Sequence, residues 1–498
     1  MNALIRKSAP YVSVVFYLVL TAGCTGETPP APQTQTVPVA APAIVADLVI
    51  QGGQLLDMVA DAPNPVPIKG LVVRDGKIDQ ILAAGSVEDL PEAKRTINAG
   101  PGYILPGLID SHIHFRPWTP DAGIERRSNL YYGVTTLFDT GPCSSGCVET
   151  GRDPNEWIVA YKDFMDNPEL TNGPTLYITG KKFDGPDGEE QPHSVRLQSL
   201  DEIVPMMDQL AGMGVDGIKV ESSLPPDYRA RVVQEANRRG LPVVGHSKDA
   251  RESITAGMKF IEHMWPITSS IAISDPGREF NSPNHDHLMD LSKAPDLIKL
   301  MVDERVYLNP TMMGRYAHLS GRRDGFAEED ALLLTFGHVF NDIPEERKPE
   351  TVAWMRRADR LDADQREQQQ QGLQKVQAFL KQFSEAGGMV LAATDVNPPR
   401  LPGITMHREL QMLVDAGITP YRVLLGATRW AAEMMRKDDL IGTVEPGKQA
   451  DILVLGSNPA DEISNSKDIQ YVIRKGTVQR SPDDCSVILP PVATTCKQ

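Results

Sequence analysis

The chain has 498 residues, 41% of them hydrophobic, which suffices for one large core and a smaller second one. Its 66 acidic and 50 basic residues leave a formal net charge of -16 and an isoelectric point near 5.2. That balance is repelled by nucleic acid and by anionic membrane, so small molecules are the expected partners.

The N-terminus carries Arg6 and Lys7, an apolar run over 11–20, and then Leu20-Thr21-Ala22-Gly23-Cys24, the order of a secretion signal. The run is too short for a membrane span. Cys24 after Ala22-Gly23 resembles a bacterial lipoprotein processing site, where the cysteine is lipidated after cleavage, although Thr21 replaces the commoner leucine. The expectation is an exported protein of the bacterial cell envelope or periplasm that touches the membrane only through an N-terminal lipid anchor. Plain secretion and an uncleaved anchor are the alternatives. Residues 25–45, rich in Pro, Thr, Ala and Gln, show no periodic apolar face and read as a flexible linker. With Cys24 set aside, Cys143, Cys147, Cys485 and Cys496 remain, an even number for an oxidising compartment. Two local disulfides, Cys143 with Cys147 and Cys485 with Cys496, are expected, with four free thiols as the alternative.

Short strands separated by Gly, Asn and Pro turns run over 46–102, and the pattern returns over 440–482. The two ends should pair into a discontinuous β-sandwich domain, with 483–498 as a tail. Between them, over 103–439, short apolar runs alternate with amphipathic stretches such as Val376, Phe379, Leu380 and Phe383. The runs are 103–109, 134–139, 175–179, 217–220, 242–246, 259–263, 306–310 and 389–395. Eight such units predict an α/β fold of the closed (β/α)8 TIM barrel type rather than an open doubly wound sheet. Loops after barrel strands face the active site, so the long ones at 140–155, 264–295 and 311–349 are candidate lids or else surface elaboration.

His112-Ile113-His114 follows the first of these strands, and alternation puts both imidazoles on one face. Alone, a His-x-His pair is weak. Lys219, His246, His263 and Asp395, however, close four further strands, and five strand ends converging on one barrel mouth point to a metal centre. His285-Asp286-His287 is a decoy with no strand before it, and 359–371 reads as a solvated helix face. Gly52-Gly53 lacks a phosphate-cradling pattern.

On Pro106-Gly107-Leu108-Ile109-Asp110-Ser111-His112 and Gly442-Thr443-Val444-Glu445-Pro446-Gly447-Lys448, the chain resembles the amidohydrolase superfamily, and within it imidazolonepropionase-like and prolidase-like enzymes, over 46–480. The resemblance implies that His112, His114 and Asp395 bind one divalent ion and that His246 and His263 bind the second. It also implies that carbon dioxide carboxylates Lys219, turning a cationic amine into an anionic bridge. Mixed histidine and oxygen ligands suit zinc. A water shared between two such ions becomes a bridging hydroxide near neutral pH, with Asp395 as general acid and base. The expected reaction is hydrolysis of a C–N amide bond in dipeptides or N-acyl amino acids. Opening of a cyclic amide, imidazolone or lactone is the alternative, and a surface binding protein without catalysis is a third reading. A substrate α-carboxylate needs a clamp, and His193, Arg315, Tyr316 and Arg400 follow strands from which they could supply it. The oligomeric state, a homo-oligomer included, stays open.

Overall fold

The computed structural model describes residues 45–114, 120–141, 153–167, 173–188, 193–273 and 283–482. Cys24, Cys143, Cys147, Cys485, Cys496 and all of the linker except Val45 fall outside them.

Two tight turns organise the first sheet. Asp75-Gly76 and Lys475-Gly476 all have positive φ, the conformation a two-residue hairpin turn requires, and each closes the pair of strands on either side of it. Ala46–Leu55 pairs antiparallel with Val66–Arg74 and parallel with Ala93–Pro106, which in turn bonds antiparallel to Ile452–Leu455. Strands near both ends of the chain therefore join in one seven-stranded sheet, not in two separately bonded layers. Leu48, Ile50, Leu71, Ile97, Ile104, Ile452 and Ile473 form its core.

The first strand of the larger unit departs from the expected 103–109. Residues 103–106 end Ala93–Pro106 and bond to Ile452–Leu455, and the site strand Leu108–Ile113 starts after Gly107. A Cβ at Gly107 would collide with the Thr135 side chain, so only glycine lets the chain switch sheets there. Between Gly107 and Val390 the fold is mixed α/β, with every described strand pair parallel. Leu108–Ile113, Val134–Asp139 and Thr175–Ile178 form one run; Lys182–Asp184, Ile218–Val220 and Val243–Gly245 a second; Phe260–Glu262, Tyr307–Asn309 and Met389–Val390 a third. Lys182–Asp184 and its partner Ser194–Arg196 are too polar to have stood out in the sequence. The last run returns to the first, since Asp395 N donates to His112 O at 2.9 Å and Val396 bridges Ile113.

Several strands stop earlier than their apolar runs. His263, Thr311 and Asp395 have φ of 64°, 48° and 47°, so the chain leaves the ladder at the residue whose side chain enters the site. The described parts of the long segments after these strands are packed. Residues 264–295 open with the helix Trp265–Ile271, and 311–349 contain Met312–Tyr316 and Arg323–Phe336. Leu333, Leu334 and Phe340 cluster with Ile124, Tyr132 and Ile404. Ala363–Glu385 begins with an Asp362/Gln365 capping box and buries Leu373, Val376, Leu380 and Phe383 at helical spacing. Among the described residues no helix is long and apolar enough to cross a membrane.

Candidate metal centre

The four histidines share one arrangement. His114 Nδ1 lies 3.1 Å from Gly141 O, His246 Nδ1 2.7 Å from Glu221 Oε2, His112 Nδ1 3.1 Å from Glu262 Oε1, and His263 Nδ1 2.6 Å from Thr311 Oγ1. A carbonyl or carboxylate only accepts, so Nδ1 of His114 and of His246 donates, and in these neutral rings Nε2 carries a lone pair. The hydroxyl of Thr311 accommodates the same tautomer at His263. Yet the Nε2 atoms face one another, at 3.4 Å between His112 and His114 and 3.3 Å between His246 and His263. Asp395 Oδ1 adds negative charge 3.8 Å from His112 Nε2 and 3.6 Å from His114 Nε2. Convergent lone pairs with hydrogen-bonded outer nitrogens repel one another without a cation and fit divalent ions. Among the described residues two groups could hold an ion: His112, His263 and Asp395, and His246, Glu262 and His263, with donor atoms within 4.8 Å in each.

Lys219 is fully buried, its Nζ against the equally buried Glu262 carboxylate. Burial would raise Glu262, but His112 and Lys219 outweigh it and hold the carboxyl far below its usual range. Asp395 behaves alike: burial pushes it up, while His112, His114 and then Arg400 bring it below the ordinary value. Burial, followed by the neighbouring His112, pushes His114 down to about 3. His246 and His263 are also lowered, chiefly by burial. Neutral imidazoles and ionised carboxylates are the states a metal centre requires.

Around this centre the expected clamp residues separate. Arg400 is buried and donates to the Asp395 carbonyl and, at 3.2 Å, to Asn397 Oδ1. The Arg315 guanidinium lies 5.2 Å from the Trp265 ring, which stacks on His263 at 4.3 Å. Both arginines thus flank the Asp395 and His263 side. Tyr316 is buried, and its hydroxyl donates at 2.7 Å to Asp286 Oδ2, which makes the pair a brace and corrects the expectation of a free phenol at the mouth. His193 sits instead beside Lys182, whose backbone N donates to its carbonyl at 3.0 Å.

Sequence reasoning missed Glu262, Glu221, Lys182 and Thr311. Glu221 was within reach, because alternation places it on the same face as Lys219. Glu262 was not, since alternation aims it away from His263 and only the left-handed turn at His263 brings both side chains to the centre.

The amidohydrolase family profile matches residues 103–479. A dihydroorotase of Geobacter metallireducens is 26% identical over 215 residues, 41% of this chain and 43% of that one. The chain spans less than half the length of the curated relatives it matches. Among solved structures, a Xaa-Pro dipeptidase with methionine bound in its active site aligns with a TM-score of 0.57 at 20% identity, covering 86% of this chain and 99% of that one. A putative prolidase from Bifidobacterium longum aligns with a TM-score of 0.59 at 20% identity, over 88% and 95% of the two chains. At such identity the structures speak for a shared fold only. The family profile, by contrast, covers well over half of the sequence and includes every histidine of the centre, and the chain belongs to the amidohydrolase family.

Proposed function

We propose that the parallel strands close a (β/α)8 barrel beside the seven-stranded sheet and that the protein is an exported metal-dependent hydrolase of C–N amide bonds, acting on dipeptides or N-acyl amino acids. The observation that carries this reading is the set of four Nε2 atoms gathered with Asp395 and Lys219 at strand ends. His112, His114 and Asp395 would hold one zinc ion and His246 and His263 the other, with Lys219 carboxylated between them. A carbamate nitrogen keeps one N–H, so the contact from Lys219 Nζ to Glu262 is compatible with the modification. When bound, such ions polarise a carbonyl and acidify water.

The chain's own residues supply the rest. Asp395, held ionised and fixed through its carbonyl by Arg400, takes a proton from water and delivers it to the departing nitrogen. The C–N bond breaks and a C–O bond forms, which gives a carboxylate and an amine. Arg315, with Arg400 behind it, is placed to receive the α-carboxylate on the nitrogen side of the scissile bond. The presence of a Xaa-Pro dipeptidase and a putative prolidase among the structural neighbours supports a peptide-like substrate. Opening of a cyclic amide by the same residues is the second reading, favoured by the dihydroorotase relatives. Lipid on Cys24 and the two cysteine pairs belong to the proposal of export and are tested by intact mass of protein from the native host.

The deciding experiment supplies zinc-reconstituted protein with dipeptides, N-acyl amino acids, cyclic amides and lactones. Hydrolysis of linear amides with close to two zinc ions per chain is expected. Turnover of rings alone would promote the second reading, and metal-free protein that binds peptide without cleaving it would leave a binding protein.

A further inference from the structure

We infer that Lys182 forms a second cationic pole of the site, so that the preferred substrates are N-acyl amino acids whose acyl group itself ends in a carboxylate, such as N-succinyl or N-glutaryl amino acids. The inference rests on the amidase reading above and names its substrate class.

Lys182 opens the short strand Lys182–Asp184, whose Phe183 pairs with Val220 next to Lys219. Its stem crosses Gly141 so closely that a Cβ there would lie 3.1 Å from Lys182 Cγ and Cδ. Gly141 O is the partner of His114 Nδ1. The ammonium lies 2.7 Å from Glu221 Oε1, and Glu221 Oε2 lies 2.7 Å from His246 Nδ1. Lys182 therefore reaches the supports of two of the four histidines, on the side of the centre away from Arg315 and Arg400.

Barrel order sharpens this placement. Lys182 follows the third strand, Thr175–Ile178, and Arg315 follows the seventh, Tyr307–Asn309. In a ring of eight these positions oppose each other, with the histidines between them. An amide whose α-carboxylate meets Arg315 then turns its acyl group toward Lys182. Among the described residues Glu221 takes one of the three N–H groups of this ammonium, whose side chain is only 15% exposed. Beside it His193 is buried, and its Nδ1 has no partner among the described residues. A neutral alkyl acyl group would dehydrate these polar atoms without replacing the water, whereas a terminal carboxylate supplies anionic acceptors for the remaining N–H groups. If Lys182 served only to neutralise Glu221, the charge of the acyl group would be irrelevant.

The test compares kcat/KM of the full-length, zinc-reconstituted protein on N-acetyl-, N-succinyl- and N-succinamoyl-L-leucine, the last being the uncharged amide of the second. The N-succinyl substrate should exceed its uncharged counterpart by at least about tenfold. That ratio should collapse toward unity in Lys182→Met and stay within about threefold of wild type in Lys182→Arg. A wild-type ratio below about threefold overturns the inference, whether or not a variant folds, and N-acetyl-L-leucine turnover would still leave the amidase reading standing. A high ratio that survives in Lys182→Met removes Lys182 from the pole. Absence of turnover on every N-acyl amino acid overturns the inference alone if dipeptides are still cleaved, and both readings together if they are not.

Discussion

Glu262 Oε1 lies 3.1 Å from His112 Nδ1, while the other oxygen of the same carboxylate meets Lys219 Nζ, so a single buried side chain couples three strand ends. Partners of this kind fix the tautomer and aim of a ligating ring, and their loss typically costs about 10–100-fold in metal affinity. Glu262→Gln should weaken zinc binding by that factor in competition with a chromogenic chelator. Affinity equal to wild type would show that His112 needs no such partner. Glu262→Ala is less informative, because it also empties the buried space and removes every hydrogen-bonding atom of that side chain.

Lys219→Ala should abolish most activity and lower the metal content, since it removes the group proposed to bridge the ions. Partial recovery with added acetate or propionate is expected, because a small carboxylate can occupy the emptied space. Full activity of the variant without any additive would refute the role given to Lys219.

Arg315, poised over Trp265 beside His263, should discriminate free acids from amides. Amidating the C-terminus of a cleaved dipeptide should lower kcat/KM by at least about tenfold, equivalent to roughly 1.4 kcal/mol. Arg315→Ala should shrink that preference by slowing the free acid selectively. Equal rates on acid and amide would dismiss the clamp and promote the ring-opening reading.

His407 offers a test of stability remote from the metal centre. Its Nε2 lies 2.8 Å from Tyr132 O, so Nε2 donates and the neutral ring accepts from Ser466 Oγ at Nδ1, also at 2.8 Å. Burial pushes its pKa from 6.5 down to about 4. Between these values the unfolded chain holds more protons, so the contribution is complete above the unfolded pKa and is lost as pH falls toward the folded one. The loss amounts to about 3 kcal/mol at most. Urea midpoints near about pH 5 and about pH 7 should therefore differ less in His407→Gln than in wild type. An unchanged difference would assign the pH dependence to other groups.

Reading the sequence located the residues that end the parallel strands because that signal is local. The apolar runs before His112, His246, His263 and Asp395 are each a few residues long, and the parallel strands they form are buried on both faces. The two chain ends were legible as strands for the same reason, through short apolar alternation and the turn residues Gly76 and Gly476.

Side-chain partnership was another matter. Whether residues 103–106 continued into the site strand depended on the clash that a side chain at Gly107 would make with Thr135, and Tyr316 was lost to the clamp because Asp286 waits for it in a different segment. Glu262 turned inward only because His263 adopts a left-handed conformation, and Lys182 entered the site on a strand too short and polar to show a period. Ligand types at strand ends were thus determined by the sequence alone, since pattern and propensity act over neighbouring residues. Their tautomers, charge states and outer partners were decided only by tertiary structure, because hydrogen bonds and burial join residues such as His112 and Glu262 that no local pattern connects.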